Sequence, residues 1–290
     1  MVDAMFADDR SATGHGAGET LAEPGTPGPL VQPRRATGRQ ATRAYGTIVV
    51  IGGGCYGSYY LRQLARAAAA GAIRWQRVIV VDRDASCRAA RESPPGIDIV
   101  IDDWHAWFAG FLATAAADPT AHTDDAIVPS PLMPHLLFDW IADRARAAWP
   151  RRTVTVAPLD EPPAVPWQRA SPDGATHYVS FAEWMCPINC IEPARCPATR
   201  AERTWTMPAA ASEFVRAAAT RGHEMSGPFV FHCTHRAYGV GMIDVSSITA
   251  ADAEIGLLAQ NGAVDALIGT MSHCHGAFGR LQIAAAPIPR

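Results

Sequence analysis

Three cysteines fall within one short, proline-rich stretch, Cys186-Pro-Ile-Asn-Cys190-Ile-Glu-Pro-Ala-Arg-Cys196-Pro. Thiolates are soft ligands that suit zinc or an iron–sulfur cluster and do not suit magnesium or calcium. The surrounding residues have no apolar periodicity that would bury the thiols in a core. Convergence on one metal centre is therefore the leading reading, with three unligated thiols in a loop as the plain alternative. Two further clusters carry similar chemistry: Phe231-His232-Cys233-Thr234-His235-Arg236 and Ser272-His273-Cys274-His275-Gly276. Each follows an apolar run that reads as a strand. Alternation along a strand then points Cys233 and His235 one way, and likewise His273 and His275. Cys233 and Cys274 are candidate metal ligands. His235, His273 and His275 are candidate acid–base groups or a proton relay.

A second motif concerns nucleotides. Gly52-Gly53-Gly54-Cys55-Tyr56-Gly57 fits G-x-G-x-x-G at Gly52, Gly54 and Gly57. The first glycine permits a tight turn, the second lets a pyrophosphate approach the backbone, and the third lets a helix pack on the strand. The helix N-terminus then offers N–H groups and its dipole to the phosphates. The context strengthens the motif: an apolar β-branched run precedes it, a helical stretch follows, and a second apolar run ends in Asp82. Asp82 would accept hydrogen bonds from an adenosine ribose, which favours NAD over NADP, although Arg83 could meet a 2′-phosphate. Asp82 lies further from the glycines than the usual ~20 residues, and Gly71–Arg77 reads as a short insertion that accounts for it. S-adenosylmethionine at a similar loop, or a unit that has lost its ligand, are the alternatives.

On these residues the stretch Gly46–Asp84, GTIVVIGGGCYGSYYLRQLARA…VIVVDRD, resembles the NAD-binding domain of TrkA/RCK-type potassium-uptake regulators, and more loosely many NAD(P)-binding Rossmann domains. The resemblance implies phosphate contacts at Gly52, Gly54 and Gly57 and ribose contact at Asp82. It reaches to about residue 156 and does not cover 158–290. The Cys-Pro ending at Cys196 resembles ferredoxin-type cluster loops. The C-x3-C-x5-C spacing matches neither the bacterial ferredoxin run nor a zinc knuckle, so iron–sulfur cluster and zinc both stay open.

The elements that must position these residues follow from pattern. Residues 1–44 are rich in Gly, Pro, Ala, Thr and Arg and read as a disordered tail. Buried strands are expected at Thr47–Ile51, Val78–Val81, Ile97–Ile101, Ala126–Val128 and Val154–Val156, alternating with helices. That alternation predicts an α/β fold with a Rossmann-like, doubly wound parallel sheet over residues 45–157. Residues 158–210 form a Cys/Pro-rich region expected to be a metal-binding loop. Residues 211–290 are expected to form a C-terminal βαβ unit: a strand at Phe229–Cys233, a helix opened by a Thr249/Asp252 capping box, and a strand at Ala266–Met271. In parallel sheets ligands sit outside the carboxyl ends of the strands. If one sheet holds them all, the glycine loop, Asp82, Asp102–Asp103, Pro129-Ser130-Pro131 and both His/Cys clusters share one cleft.

Composition removes several classes. All 25 basic residues are arginine, so a P-loop, a Schiff-base enzyme and a kinase are excluded, because each needs a lysine. No G-x-S-x-G elbow or H-E-x-x-H pair suggests a hydrolase. A net charge of -3 argues against a nucleic-acid partner. No apolar run is long enough for a transmembrane helix, and no secretory signal is evident, so a cytoplasmic protein with free or metal-bound thiols is expected. The expectation is an NAD(P)-binding redox protein with a thiol-ligated metal site, its partner a small-molecule substrate or a redox protein. Homo-oligomerisation is left open. The rival is a non-catalytic module that senses NAD(H) or redox state. A third reading is a degenerate Rossmann protein holding structural zinc.

Overall fold

The apolar runs and the amphipathic stretches between them become strands and helices in the computed structural model, which describes residues 42–159, 161–182 and 186–286. β1 (Arg43–Ile51) passes through the glycine turn into α1 (Cys55–Ala69) and β2 (Ile73–Asp82). There follow α2 (Arg88–Glu92), β3 (Asp98–Ile101), α3 (Trp104–Ala117), β4 (Ala126–Val128) and α4 (Leu136–Ala148). β5 (Val154–Ala157) leads to a hairpin of β6 (Trp167–Ala170) and β7 (His177–Ser180), then α5 (Met207–Thr220). The chain ends with β8 (Ser226–His232), β9 (Thr234–Ala237), β10 (Val240–Asp244), α6 (Val245–Asn261), β11 (Val264–Met271) and β12 (His275–Ile283).

The protein is α/β with two mixed sheets. The first has the order β3-β2-β1-β4-β10-β9. Its first four strands are parallel, whereas β10 joins β4 antiparallel and β9 joins β10 antiparallel. The second has the order β6-β7-β12-β11-β8, with β5 also paired to β12. In it β8 and β11 run parallel and the remaining pairings are antiparallel. The parallel sheet expected over residues 45–157 is corrected in part: its four parallel strands are joined by antiparallel β10 and β9, and the C-terminal strands β8 and β11 lie in a second sheet. The run at Val154–Val156, expected to continue the first sheet, pairs with Leu281–Ile283 in the second. The C-terminal βαβ pairing of β8 with β11 is present, but β10 leaves that unit to complete the first sheet.

The helices fill the space between and outside the sheets. Alternation on β1 sends Val49 and Ile51 to one face and Ile48 and Val50 to the other. The first pair packs with Phe108 and Leu112 of α3, with Ile141 of α4 and Ile248 of α6. The same cluster takes in Phe231, Ile268 and Leu281 of the second sheet. Thus α3, α4 and α6 lie between the two sheets. Leu61 and Leu64 of α1 cover the outer face of the first. Val215 and Ala211 of α5 cover the outer face of the second, against Leu267 and Phe278.

Boundaries move for identifiable reasons. Residues 1–41, most of the expected tail, lie outside the described residues; β1 already begins at Arg43, which pairs with Ile73. Gly71–Arg77 is not an insertion. β2 starts at Ile73, so Asp82 is distant from the glycines because its strand is long. Residues 158–210 hold the β6–β7 hairpin and the start of α5, whose N-cap Thr206 accepts a hydrogen bond from the N–H of Ala209. α6 begins at Val245, not at Thr249. Thr249 is internal and donates to the Val245 and Ser246 carbonyls. Asp252 instead pairs with Arg144 of α4 at 2.8 Å. Among the described residues no helix is long and apolar enough to cross a membrane.

Candidate functional site

The glycine loop is tightly wound. Gly52 takes φ +81, a conformation open to glycine. A Cβ on Gly57 would stand 1.8 Å from the Gly52 carbonyl oxygen, so α1 rests directly on the end of β1. Gly54 faces open space. Asp82 is buried at the end of β2, with both carboxylate oxygens engaged: Oδ2 accepts from the Gly53 N–H at 2.6 Å and Oδ1 from the Asp84 N–H at 2.9 Å. The Gly53 carbonyl accepts from the Ala89 N–H at 2.8 Å, and the Cys87 sulfur fills the space that a Gly53 Cβ would need. Asp82 thus organises the loop from within. Arg83, beside it, stacks on the Trp104 ring at 4.1 Å.

A cavity of about 180 Å³ opens where the two sheets present their strand ends. α1 contributes Tyr56 and Tyr60, and Pro129-Ser130-Pro131 follows β4. The β8–β9 junction contributes Cys233 and His235, and the β11–β12 turn contributes Ser272 and His275. The cysteine stretch closes the cavity with Cys186, Cys190 and Glu192. Of the candidate thiols and imidazoles, Cys186, Cys190, Cys233, His235 and His275 are brought to one cavity wall. Gly52, Gly54, Gly57, Asp82, Cys196, His273 and Cys274 lie off the cavity wall, as do Asp102 and Asp103. Asp103 caps α3.

One expected orientation holds and one changes. β8 stops at His232 and β9 begins at Thr234, so Cys233 is a junction residue, although it and His235 still face the same cavity. His273 lies in the turn between β11 and β12, where strand alternation does not apply. Its ring stacks on His232 at 6.3 Å between centroids, while His275 faces the cavity.

Glu192, which the sequence reading passed over, ties the site together. Its Oε2 meets His235 Nδ1 at 3.1 Å, and its Oε1 accepts from the Cys274 N–H at 3.2 Å. Burial alone would raise its pKa; hydrogen bonds from His235 and Ser272 outweigh that and hold it down to about 2. An ionised carboxylate therefore links the cysteine stretch to β9 and to the β11–β12 turn. Arg203 donates to the Glu192 and Pro193 carbonyls and fixes the backbone beside it. The signal in the sequence is a lone acid between Cys190 and Cys196. Glu192→Gln should cost about 1.5–3 kcal/mol, the worth of hydrogen bonds to a charged group, read as a lower denaturation midpoint. An unchanged midpoint would show that the carboxylate does not hold the stretch in place.

All seven cysteines are free. Cys186 Sγ lies 3.3 Å from His275 Nε2, and Ser180 Oγ lies 2.9 Å from His275 Nδ1. Burial holds His275 below the usual histidine range. The Cys186 thiol is pushed up to about 12, first by burial and then by the neighbouring Cys190, Cys196 and Cys274. Burial and Glu192 push Cys233 to about 12 as well. Cys196 goes the other way. Burial would raise it, but hydrogen bonds from the Thr199 and Ala198 N–H groups and from the Thr199 hydroxyl favour its thiolate. Crowded thiols that resist ionisation alone are the donors that a thiophilic cation would deprotonate. Among the described residues no three His, Cys, Asp or Glu donors already stand in metal-holding geometry.

Residues 137–284, just over half of the chain, match the family described as "AF_1314_C: Uncharacterized protein, C-terminal domain". The chain belongs to this family. The matched AF_1314_C region contains Cys186, Cys190, Cys196, Glu192 and both His/Cys clusters, and it begins after the glycine loop, inside α4. No curated protein and no solved structure matches the chain.

Proposed function

We propose that this protein is an NAD(P)-linked oxidoreductase in which a dinucleotide on the Gly52–Gly57 loop meets a thiol-ligated metal centre built from Cys186, Cys190 and Cys196. One observation carries the reading: α1, which opens at the glycine loop, also supplies Tyr56 and Tyr60 to the cavity that holds Cys186 and Cys190. The parallel order β3-β2-β1-β4 around that loop supports it, because the classic Rossmann order 3-2-1-4-5-6 begins with the same four strands. So does the donor set, which suits zinc or an iron–sulfur cluster. Such a centre would supply Lewis acidity if zinc, or one-electron transfer if iron–sulfur. The chain's own part is to bind, orient and move protons. Burial keeps the Tyr60 hydroxyl protonated and able to donate. The Glu192 carboxylate orients the His235 ring, and His275 is neutral and able to accept a proton beside Cys186.

A second reading, a module that senses NAD(H) or redox state without turnover, is favoured by Asp82. Its oxygens already hold Gly53 and Asp84, so a ribose bonded to the same carboxylate would couple occupancy to loop shape. Steady NADH oxidation with an artificial electron acceptor supports the enzyme; stoichiometric binding without turnover supports the sensor. Gly54→Val tests the nucleotide site itself. Gly54 faces open space, so the fold should survive while calorimetric NAD(H) binding is lost. Failure of the wild-type protein to bind NAD(H) or NADP(H) would overturn both readings.

A further inference from the structure

Three loop thiols leave a tetrahedral centre one ligand short, and Cys233, His235, His273 and Cys274 all stand at nearby strand ends. Their surroundings separate them. His235 is committed to Glu192 at 3.1 Å. His273 is stacked on His232. The Cys233 sulfur fills the space a Gly241 Cβ would take, 2.6 Å away, on the side of the cavity that faces Tyr60.

Cys274 is placed differently. Its N–H donates to Glu192, which lies between Cys190 and Cys196. Its carbonyl accepts from the Phe181 N–H at 3.0 Å. The next residue, His275, touches Cys186 Sγ at 3.3 Å. The β11–β12 turn is therefore bonded to the cysteine stretch on both sides of Cys274, and the Cys186 thiol feels Cys190, Cys196 and Cys274 together.

An independent observation concerns the donors around this sulfur. Arg203 Nε and Nη2 and Trp205 Nε1 are buried with no partner in hydrogen-bond geometry. Both side chains lie close enough to interact with the Cys274 thiol. A neutral thiol is a weak acceptor, whereas a buried N–H without a partner is costly and a cationic one more so. A metal-bound thiolate is a far stronger acceptor. Two buried side chains with orphaned N–H groups beside one sulfur would gain their acceptor if that sulfur were a metal-bound thiolate.

We infer that Cys274 is the fourth ligand, and that Cys186, Cys190, Cys196 and Cys274 form a thiolate-only site for one thiophilic metal centre, with Arg203 and Trp205 as N–H donors to the Cys274 sulfur. The inference rests on the metal-site reading above. Four thiolates suit tetrahedral zinc and a four-cysteine iron–sulfur cluster alike, so the test has an arm for each. Full-length wild type, Cys274→Ser and Cys233→Ser are purified without oxygen. Each is loaded with Zn²⁺ alone in one arm and with ferrous iron and sulfide in the other. The centre that forms in wild type should bind at least about tenfold more weakly to Cys274→Ser, a loss of the size that metal-site mutations produce, and with unchanged affinity to Cys233→Ser. Circular dichroism establishes that each variant is folded. A measurement on wild type alone guards against misfolding. Loaded with Co²⁺, the protein should show a sulfur-to-cobalt charge-transfer band of four thiolates per ion; a three-thiolate band overturns the assignment. Full retention of the centre by Cys274→Ser overturns the role of Cys274 and leaves the metal site standing. Wild type that takes up no zinc, cobalt or iron overturns the site as a whole.

Discussion

Gly57→Ala is expected to destabilise the protein by about 3 kcal/mol or more, the upper range for forcing atoms into a packed site. The added Cβ would lie 1.8 Å from the Gly52 oxygen and 3.0 Å from its carbonyl carbon. These are backbone atoms, so no rotamer change relieves the clash. Either the first turn of α1 unwinds or the helix lifts away from β1. Lifting would also separate Leu61 and Leu64 from Val50 and Val80 in the outer core. Gly54→Ala is the matched control, because its Cβ meets nothing within 4 Å. Urea denaturation of the two variants beside wild type measures both effects. A Gly57→Ala midpoint equal to wild type would mean that the close contact of helix and strand is dispensable. If Gly57→Ala folds, lost NAD(H) binding alone says little about phosphate contact, whereas loss in Gly54→Ala would speak for it directly.

That contrast shows what the motif encodes. The spacing of Gly52, Gly54 and Gly57 was enough to place a turn, a helix and a close approach, and all three are present. The same spacing was silent about Gly53, whose bare face admits Cys87, and about Asp82, whose carboxylate caps Gly53 and Asp84 from within. Motif reasoning assigns an acid at the end of β2 to a ligand; burial assigns it to the loop first. The strands β1–β5, β8 and β11 were legible because β-branched apolar runs are rare in loops. Pairing was not, because pairing is set by contacts distant in sequence. Val154–Val156 has the same composition as a central strand of the first sheet, yet it aligns with Leu281–Ile283. Likewise β10, a run of Val240, Met242 and Ile243 close to the glycine turn Tyr238-Gly239, was hidden by its neighbour, the His/Cys cluster.

The candidate site was legible in its donors and not in its connections. Cys186 and Cys190 could be singled out because their stretch lacks the apolar periodicity of a core, and Cys233, His235 and His275 because His and Cys cluster at two strand ends. Glu192, Arg203 and Trp205 could not, since a Glu, an Arg and a Trp in a polar stretch are unremarkable until the turn that they grip is known. Alternation failed at His273 because it lies in the turn between β11 and β12, and a turn has no fixed side-chain period.

At the far end of β11 a charged cluster offers the cleaner energetic test. Asp265→Ala is expected to cost about 3–5 kcal/mol, the range for breaking a buried pair by removing one partner, with the lower end favoured because part of Asp265 reaches water. Asp265 Oδ1 accepts from Arg280 Nε at 2.9 Å and Oδ2 from Arg280 Nη2 at 2.7 Å, a two-pronged pairing between adjacent strands. Gln282 adds a bond at 3.0 Å from the residue directly opposite. Arg280 is 8% exposed, so losing the carboxylate takes away a bidentate counter-charge of a buried guanidinium. Burial pushes the Asp265 carboxyl up, but hydrogen bonds from Arg280, Gln282 and His223 more than offset this and hold it below its ordinary value of 3.8. A depressed folded-state pKa contributes stability that is fully present above the unfolded value and lost as pH falls through the folded one. The gap between wild type and Asp265→Ala should therefore be full at pH 7 and should narrow below pH 3.8, as the wild-type carboxylate is protonated. Guanidinium chloride titrations at both ends of that range measure it. A gap under about 1 kcal/mol at pH 7, the size of an exposed ion pair, would show that the cluster behaves as a surface contact. A gap that widened on acidification would reverse the sign of the linkage and rule out the ionised pair as its source.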